Sequence, residues 1–281
     1  MMKFGDYECF TVETGSFLLD GGAMFGVVPK ILWERKIPAD NKNLIPMHAR
    51  SLLIQGKGKN ILVDNGIGNK LSEKLQKIYH VDMDETNIHI SLSMLGLTSS
   101  DITDVIITHL HFDHAGGSTS IVDGITVPTF QNAVYYIQKK QWELAKNPSP
   151  RDRASYMREN FIPLEEAGVL KLIDDPQKIF DGIDIVVTNG HTTGQQHPLI
   201  KGKTKSLFFC ADLIPTSAHL PVAWNMGYDN FPMTLIKEKE KILARAVKDN
   251  WILFFEHDPY IAATTIKQGE KNIEIDNIIL I

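Results

Sequence analysis

Cysteine is scarce in this chain. Only Cys9 and Cys210 occur among 281 residues, which excludes a disulfide framework and a C-x-x-C metal knuckle. Long apolar runs are also missing. None approaches the ~18 consecutive residues that a membrane-spanning helix requires. The opening M-M-K-F-G-D-Y-E-C-F carries acidic residues and no apolar core of a secretory signal, so a cytoplasmic protein is expected. Positive charge is not in excess: 29 basic residues stand against 34 acidic ones, a formal net charge of −5. That excludes a general polyanion-binding surface, though not a local basic patch. Neither a G-x-S-x-G elbow nor a P-loop is found, so a serine nucleophile at such an elbow and a phosphate cradle are not indicated. Linkers, charge blocks, low-complexity segments and short repeats are absent as well. The expected organisation is a single domain, residues 1–281.

What the chain does have is a series of short β-branched or aromatic runs bounded by turn residues. They are F-T-V-E-T-G-S-F-L-L, S-L-L-I-Q-G, N-I-L-V-D, D-V-I-I-T, A-V-Y-Y-I, I-D-I-V-V-T, S-L-F-F-C and W-I-L-F-F. These read as strands, the most apolar of them buried. Helical spacing is seen between them. Leu71, Leu75 and Ile78 share one side of a helix expected over 68–79. Shorter helices are expected over 90–97 and 139–146, with helical parts in 150–167. Leu235, Ile242, Leu243 and Ala246 form the apolar stripe of a helix over 233–248. Strands interspersed with helices indicate a layered α/β or α+β fold.

One stretch concentrates chemistry: T-H-L-H-F-D-H-A-G-G, Thr108 to Gly117, directly after the run D-V-I-I-T. If the backbone stays extended past the strand end, His109 and His111 project to the same side, because side chains alternate with period two. The turn that follows can swing Asp113 and His114 towards a second position, and Gly116 and Gly117 let the chain bend tightly. A lone histidine is most often a surface or satisfied core residue. Three histidines and an aspartate at H-x-H-x-D-H spacing are a metal-ligand pattern. Four ligands do not complete two metal shells. Three later strand ends offer the remainder: His191 after I-V-V-T-N-G, Asp212 after L-F-F-C-A, and His257 after W-I-L-F-F-E.

These residues, in this order, closely resemble the dinuclear motif series of the metallo-β-lactamase superfamily. N-I-L-V-D-N-G resembles its first motif, with Asp64 at the strand end. The resemblance runs from about Leu52 to Asp258. It implies a four-layer αβ/βα sandwich: two mixed β-sheets face to face, helices on the outer faces, metals at one edge. It also implies that His109, His111 and His191 hold one metal, that Asp113, His114 and His257 hold the other, and that Asp212 bridges both. Asp64 would hold a ligand imidazole or the motif loop in place. Five imidazoles and two carboxylates suit two divalent ions, zinc first, with iron or manganese admissible at the carboxylate-richer position. Two such ions about 3.5–4 Å apart hold a bridging hydroxide and polarise a substrate oxygen. Asp113 would orient that hydroxide and carry its proton. Cys210 lies two residues before Asp212 and is expected as a small buried side chain rather than a ligand.

The expected partner is a small-molecule substrate, with no nucleic acid and no membrane; a homodimer is compatible. Apolar residues in glycine-flanked segments are candidates to line the pocket: Met24 and Phe25 in D-G-G-A-M-F-G, Phe112 in the metal motif, and Trp224, Met226 and Tyr228 in W-N-M-G-Y. Among superfamily members the pattern is most similar to the N-acyl-homoserine lactonases, which implies hydrolysis of a lactone or carboxylic ester with an apolar portion. Those enzymes place a tyrosine three residues after the bridging aspartate. Here Pro215 stands there and cannot donate a hydrogen bond. His219 is the nearest substitute donor, and Tyr228 and Tyr260 are others. Alternatives are a phosphoester or organophosphate hydrolase resembling methyl-parathion hydrolase, and a thioester hydrolase resembling glyoxalase II. The latter needs a basic pocket, for which Lys267 and Lys271 are thin support. A flavodiiron-type oxygen reductase would carry a flavodoxin-like domain that this length does not accommodate.

Overall fold

The β-branched runs assemble into two seven-stranded sheets and one small hairpin. The computed structural model describes all residues, 1–281. From edge to edge the first sheet runs Met2–Phe4, Tyr7–Asp20, Leu44–Gly56, Lys59–Val63, Asp104–Ile106, Val134–Gln138 and Leu170–Ile173. Its last four strands are parallel and the others antiparallel. The second sheet runs Lys178–Phe180, Ile183–Thr188, Gln195–Ile200, Ser206–Phe209, Trp251–Phe254, Ala263–Gln268 and Ile273–Ile279. Within it only Ser206–Phe209 and Trp251–Phe254 pair in parallel. Both sheets are therefore mixed. Each parallel pair requires a crossover, and most of the helices lie in those crossovers; the short helices Gly21–Phe25 and Lys30–Trp33 instead join two antiparallel strands.

Alternation of side chains gives each sheet an inner and an outer apolar face. Leu52, Ile54, Val63 and Ile106 of the first sheet meet Leu207, Phe209, Ile252 and Phe254 of the second in one cluster. A side chain of this kind stabilises the fold by roughly 1.5–3 kcal/mol on burial. On the outer face of the first sheet, Leu53, Leu62, Val105 and Tyr135 pack beneath Leu92, Trp142 and Leu164 from three helices. On the outer face of the second, Phe208 and Leu253 pack beneath Leu235 and Leu243 of the helix Pro232–Lys248. The result is helix, sheet, sheet, helix: the αβ/βα sandwich that the motifs imply. No helix is long and apolar enough to cross a membrane.

Two segments differ from expectation. The helix expected over 68–79 covers only Glu73–Tyr79, capped by the Ser72 side chain. Gly68 sits at φ +65° and a Cβ there would lie 2.3 Å from the Gly116 carbonyl oxygen. Residues 64–72 are thus pressed against the metal-motif turn, which holds them out of helical geometry. Conversely Gln195–Ile200 is a fully buried strand, although Q-Q-H-P-L-I carries neither alternation nor β-branching at its start.

Candidate metal centre

The parallel strands of both sheets end on the same rim, where α/β folds place their sites. Asp64 follows Lys59–Val63, the T-H-L-H-F-D-H stretch follows Asp104–Ile106, Asp212 follows Ser206–Phe209, and His257 follows Trp251–Phe254. His191 lies in the turn before Gln195–Ile200. The backbone remains extended at His111 (φ −66°, ψ 154°) and then coils into the short helix Phe112–Ala115. Extension puts His109 and His111 on one side; the coil turns Asp113 and His114 to the other. Gly116 is needed for close approach: a Cβ there would lie 1.8 Å from the Ile67 carbonyl oxygen.

Two donor groups converge. His111 Nδ1 lies 3.1 Å from His109 Nε2 and 3.2 Å from His191 Nε2. Asp212 Oδ2 lies 3.1 Å from His191 Nε2 and 3.7 Å from His109 Nε2. In the second group His114 Nε2 and His257 Nε2 are 3.1 Å apart, with Asp113 Oδ2 3.9 and 3.8 Å from them. Asp212 belongs to both, its Oδ2 being 3.5 Å from His114 Nε2 and its Oδ1 3.2 Å from His257 Nε2. A tetrahedral zinc site with bonds of 2.0–2.1 Å has ligand–ligand edges of about 3.3 Å. The spacing and chemistry of these donors therefore fit divalent ions. Cys210 is buried in the outer core and is not among the converging donors.

Remote ring nitrogens are held by oxygens that orient the rings. Asp64 accepts from the Thr108 N–H (2.7 Å) and hydroxyl (2.6 Å), and His114 Nδ1 lies 3.1 Å from it. Because the Thr108 hydroxyl donates to Asp64, it accepts from His109 Nδ1 at 3.0 Å. His191 Nδ1–H donates to Asp229 Oδ1 (2.9 Å), and His257 Nδ1–H donates to the His48 carbonyl (2.8 Å). Four imidazoles thereby turn the Nε2 lone pair towards the donor groups. Asp64 thus contacts both the motif loop and a ring, in left-handed backbone geometry (φ 55°). Two residues of this kind escape sequence reading. Asp229 is one. The other is Glu256, whose Oε2 is 3.0 Å from His114 Nδ1 but without hydrogen-bond alignment, and whose oxygens are otherwise unpartnered. We take Asp64 as the ring's partner, since its geometry is that of a hydrogen bond.

Electrostatics agree with a cation-binding role. Burial, reinforced by neighbouring imidazoles, holds His109 and His111 well below the usual histidine range, so both are neutral and ready to ligate. Burial works in the same direction at His114 and His257, but Glu256 and Asp212 at the first and Asp212 at the second outweigh it. His114 is pushed well up and His257 to about 9. Burial would raise Asp212, yet His114 and His191 hold it well below the carboxylate range. Burial pushes Glu256 up to about 8.

A cleft of about 220 Å³ opens over these donors. Met24, Phe112, Met226 and Tyr228 line it, together with Met47 and Tyr79. Phe25, Trp224 and His219 do not, and for these the expectation is corrected. Phe25 is fully buried, stacked on Trp33 at 5.1 Å and on His219 at 4.5 Å, with Trp224 edge-on at 5.9 Å. His219 spends both ring nitrogens internally, on the Thr216 hydroxyl (2.8 Å) and the Met24 carbonyl (2.9 Å), and burial pushes its pKa down to about 3. It fastens the loop after Asp212 to the 20–26 turn and has no donor left for a substrate. Tyr260 is exposed and outside the cleft. Pro215 serves through its carbonyl, which accepts the His257 N–H at 3.1 Å.

Fold and rim together define an αβ/βα sandwich built around a metal-binding donor set. The chain belongs to the metallo-beta-lactamase superfamily, whose family model matches residues 45–257. It is similar along nearly its whole length to a probable metal-dependent hydrolase of Staphylococcus aureus, with 33% identity, coverage of 99% of this chain and 98% of that one, and a TM-score of 0.91. An N-acyl homoserine lactonase of Bacillus cereus is 28% identical over 181 residues, 62% of this chain and 63% of that protein. The match thus spans about 63% of the length of that curated relative. AidC, a dizinc quorum-quenching lactonase solved with the product N-hexanoyl-L-homoserine, shares the fold at a TM-score of 0.82 and 21% identity, with 100% and 97% of the two chains covered.

Proposed function

We propose that this chain is a hydrolase dependent on two divalent metal ions, zinc being best suited, that opens a lactone or cleaves a carboxylic ester with an apolar portion. The observation that carries this reading is the pair of donor groups sharing Asp212 beneath a small cleft with both apolar and polar walls. His109, His111, His191 and Asp212 would hold one ion, and Asp113, His114, His257 and Asp212 the other. When bound, the ions supply Lewis acidity and a hydroxide nucleophile at neutral pH. The curated relatives named as lactonases support the choice of substrate class.

The remaining roles fall to side chains. Met24, Met47, Phe112 and Met226 exclude water and take the apolar part. Asp113, whose side chain is 14% exposed in the cleft, would take the proton of the attacking hydroxide and return it to the leaving oxygen as the carbonyl C–O bond breaks. With Pro215 unable to donate, a phenol from the cleft wall does so. Tyr228 lines the cleft, its hydroxyl has no partner within the protein, and burial pushes its pKa up to about 12, so it keeps its proton. Tyr79, on the same wall, is also pushed up by burial. The absence of a phenol at position 215 favours one second reading, a phosphoester or organophosphate hydrolase. The deciding assay offers the zinc-, manganese- and iron-loaded protein an acyl lactone, a matched linear ester, a glutathione thioester and an organophosphate triester. The lactone or ester is expected to be the best substrate. Faster turnover of the triester selects the second reading, and turnover of none refutes the hydrolase.

A further inference from the structure

One donor group is split between the two sheets. His109 and His111 leave the first sheet, His191 lies in a turn of the second, and 80 positions of chain separate His111 from His191. Chain connectivity therefore does little to hold their ring nitrogens 3.2 Å apart. A main-chain bond from the Gln196 N–H to the Thr108 carbonyl (2.9 Å) ties the two sheets at this rim. Closer to the ligands the tie is a side chain. Gln141, in the helix Lys139–Lys146, is 1% exposed. Its Oε1 accepts from the N–H of Leu110, the residue between the two histidines, in the longest of its three bonds (3.4 Å). Its Nε2 donates to the Thr192 hydroxyl (3.2 Å) and the Thr193 carbonyl (2.8 Å), directly after His191. A buried amide has two hydrogens and an oxygen to satisfy, and here all three are spent on the two ligand segments. The Thr192 hydroxyl also meets the Tyr156 hydroxyl at 2.8 Å, and the Tyr156 ring lies edge-on to His111 with centroids 4.8 Å apart. The contacts close a ring: His111, Leu110, Gln141, Thr192, Tyr156 and back to His111.

The surroundings separate this tie from general packing. Gly194, at φ +77°, lets the His191 turn approach closely, since a Cβ there would lie 2.9 Å from the Gln141 main-chain nitrogen. The opposite end of the turn is fastened by Glu238, whose carboxylate accepts from the N–H groups of Asn189 (2.9 Å) and Gly190 (3.0 Å). Trp142 and Ala145 of the Gln141 helix pack with Leu110 in the outer core. Helix and turn thus have supports of their own, and both are expected to survive loss of the amide. What the amide adds is the position of one ligand segment against the other.

We infer that Gln141 is a positioning residue that presents His109, His111 and His191 together to one metal ion. This rests on the two-ion reading of the donor set and not on the reaction it performs.

The test is competitive zinc titration of Gln141→Met and Gln141→Glu in two backgrounds. His257→Ala breaks the second donor group and leaves the first to report alone; His191→Ala does the reverse. Methionine keeps the size and removes the amide. Glutamate keeps an acceptor for the Leu110 N–H and loses both donors to the His191 turn. Each is expected to lower zinc affinity about 10–100-fold in the His257→Ala background and by less than about threefold in the His191→Ala background. The visible absorption of the cobalt-loaded protein, which reports ligand geometry, is expected to change in the first background alone. An unchanged affinity there overturns the inference. Equal losses in both backgrounds also overturn it, since a merely structural role moves the two groups alike. Should the methionine variant fail to fold, the glutamate variant decides. Wild-type protein that takes up no zinc overturns this inference and the metal-dependent reading together. Absence of hydrolysis with the expected zinc losses intact refutes the hydrolase and not the role of Gln141.

Discussion

Replacing Asp229 with asparagine tests how far the donor set depends on its supports. Asp229 is buried and uses both oxygens: Oδ1 accepts from His191 Nδ1 at 2.9 Å and Oδ2 from the Met226 N–H at 2.8 Å. Asparagine has the same shape and only one acceptor. If its oxygen faces His191, its amide group confronts the Met226 N–H, leaving a buried donor unpaired at a cost of roughly 1–3 kcal/mol. If it flips, the amide confronts Nδ1, and His191 must carry its proton on Nε2, which removes the lone pair from the donor group. Either way the ring loses a fixed orientation. Loss of such a partner typically lowers metal affinity about 10–100-fold, or roughly 1.4–2.7 kcal/mol. Competitive zinc titration against a chromophoric chelator reads this directly, and far-ultraviolet circular dichroism shows that the fold persists. Zinc affinity of Asp229→Asn within about threefold of wild type, well under the tenfold expected of such a partner, would refute the reasoning.

Other outcomes follow from the same geometry. Gly116→Ala would place a Cβ 1.8 Å from the Ile67 carbonyl oxygen and should destabilise the protein by about 1–3 kcal/mol or more while lowering bound metal, as read by denaturant midpoint and metal content. Tyr228→Phe should lower turnover of the preferred ester by about 10²-fold at unchanged metal content; unchanged turnover would remove Tyr228 from the mechanism. Lys239 is buried with its ammonium on the Pro221 and Trp224 carbonyls (2.9 and 2.5 Å), and burial pushes its pKa down from 10.5 to about 7. The unfolded chain therefore binds more protons across that window. Wild-type stability relative to Lys239→Met should rise with pH from about 7 to about 10.5, by up to about 1.4 kcal/mol per unit, and a flat difference would contradict the burial argument.

The donor set is legible in sequence because strand ends impose it. Period-two alternation joins His109 to His111, and an apolar run before each later ligand announces its place on the rim. What supports the donors is not local. Asp229 meets His191 across 38 residues, and nothing in W-N-M-G-Y-D distinguishes it from a loop aspartate. Glu256 stands next to His257, and its burial beside His114 depends on how the second sheet abuts the first. Phe25, Trp224 and His219 show the converse. The glycine-flanked, apolar surroundings of Phe25 and Trp224 resemble pocket walls, and His219 is the nearest donor in sequence after Pro215, but which side of a loop faces inward depends on distant partners, here Trp33 and the Met24 carbonyl. The strand Gln195–Ile200 is hidden because Gln196 Nε2 donates to the Ile107 and Tyr136 carbonyls, a buried role that polarity scales count against a strand.

Zinc titration of the metal-free protein, with hydrolysis and bound metal followed together, tests the central claim most directly. Activity is expected to rise to a plateau at two ions per chain and to be lost in Asp212→Ala, whose side chain is the one shared by both donor groups. A plateau at one ion per chain, or hydrolysis that survives removal of all metal, would contradict the account.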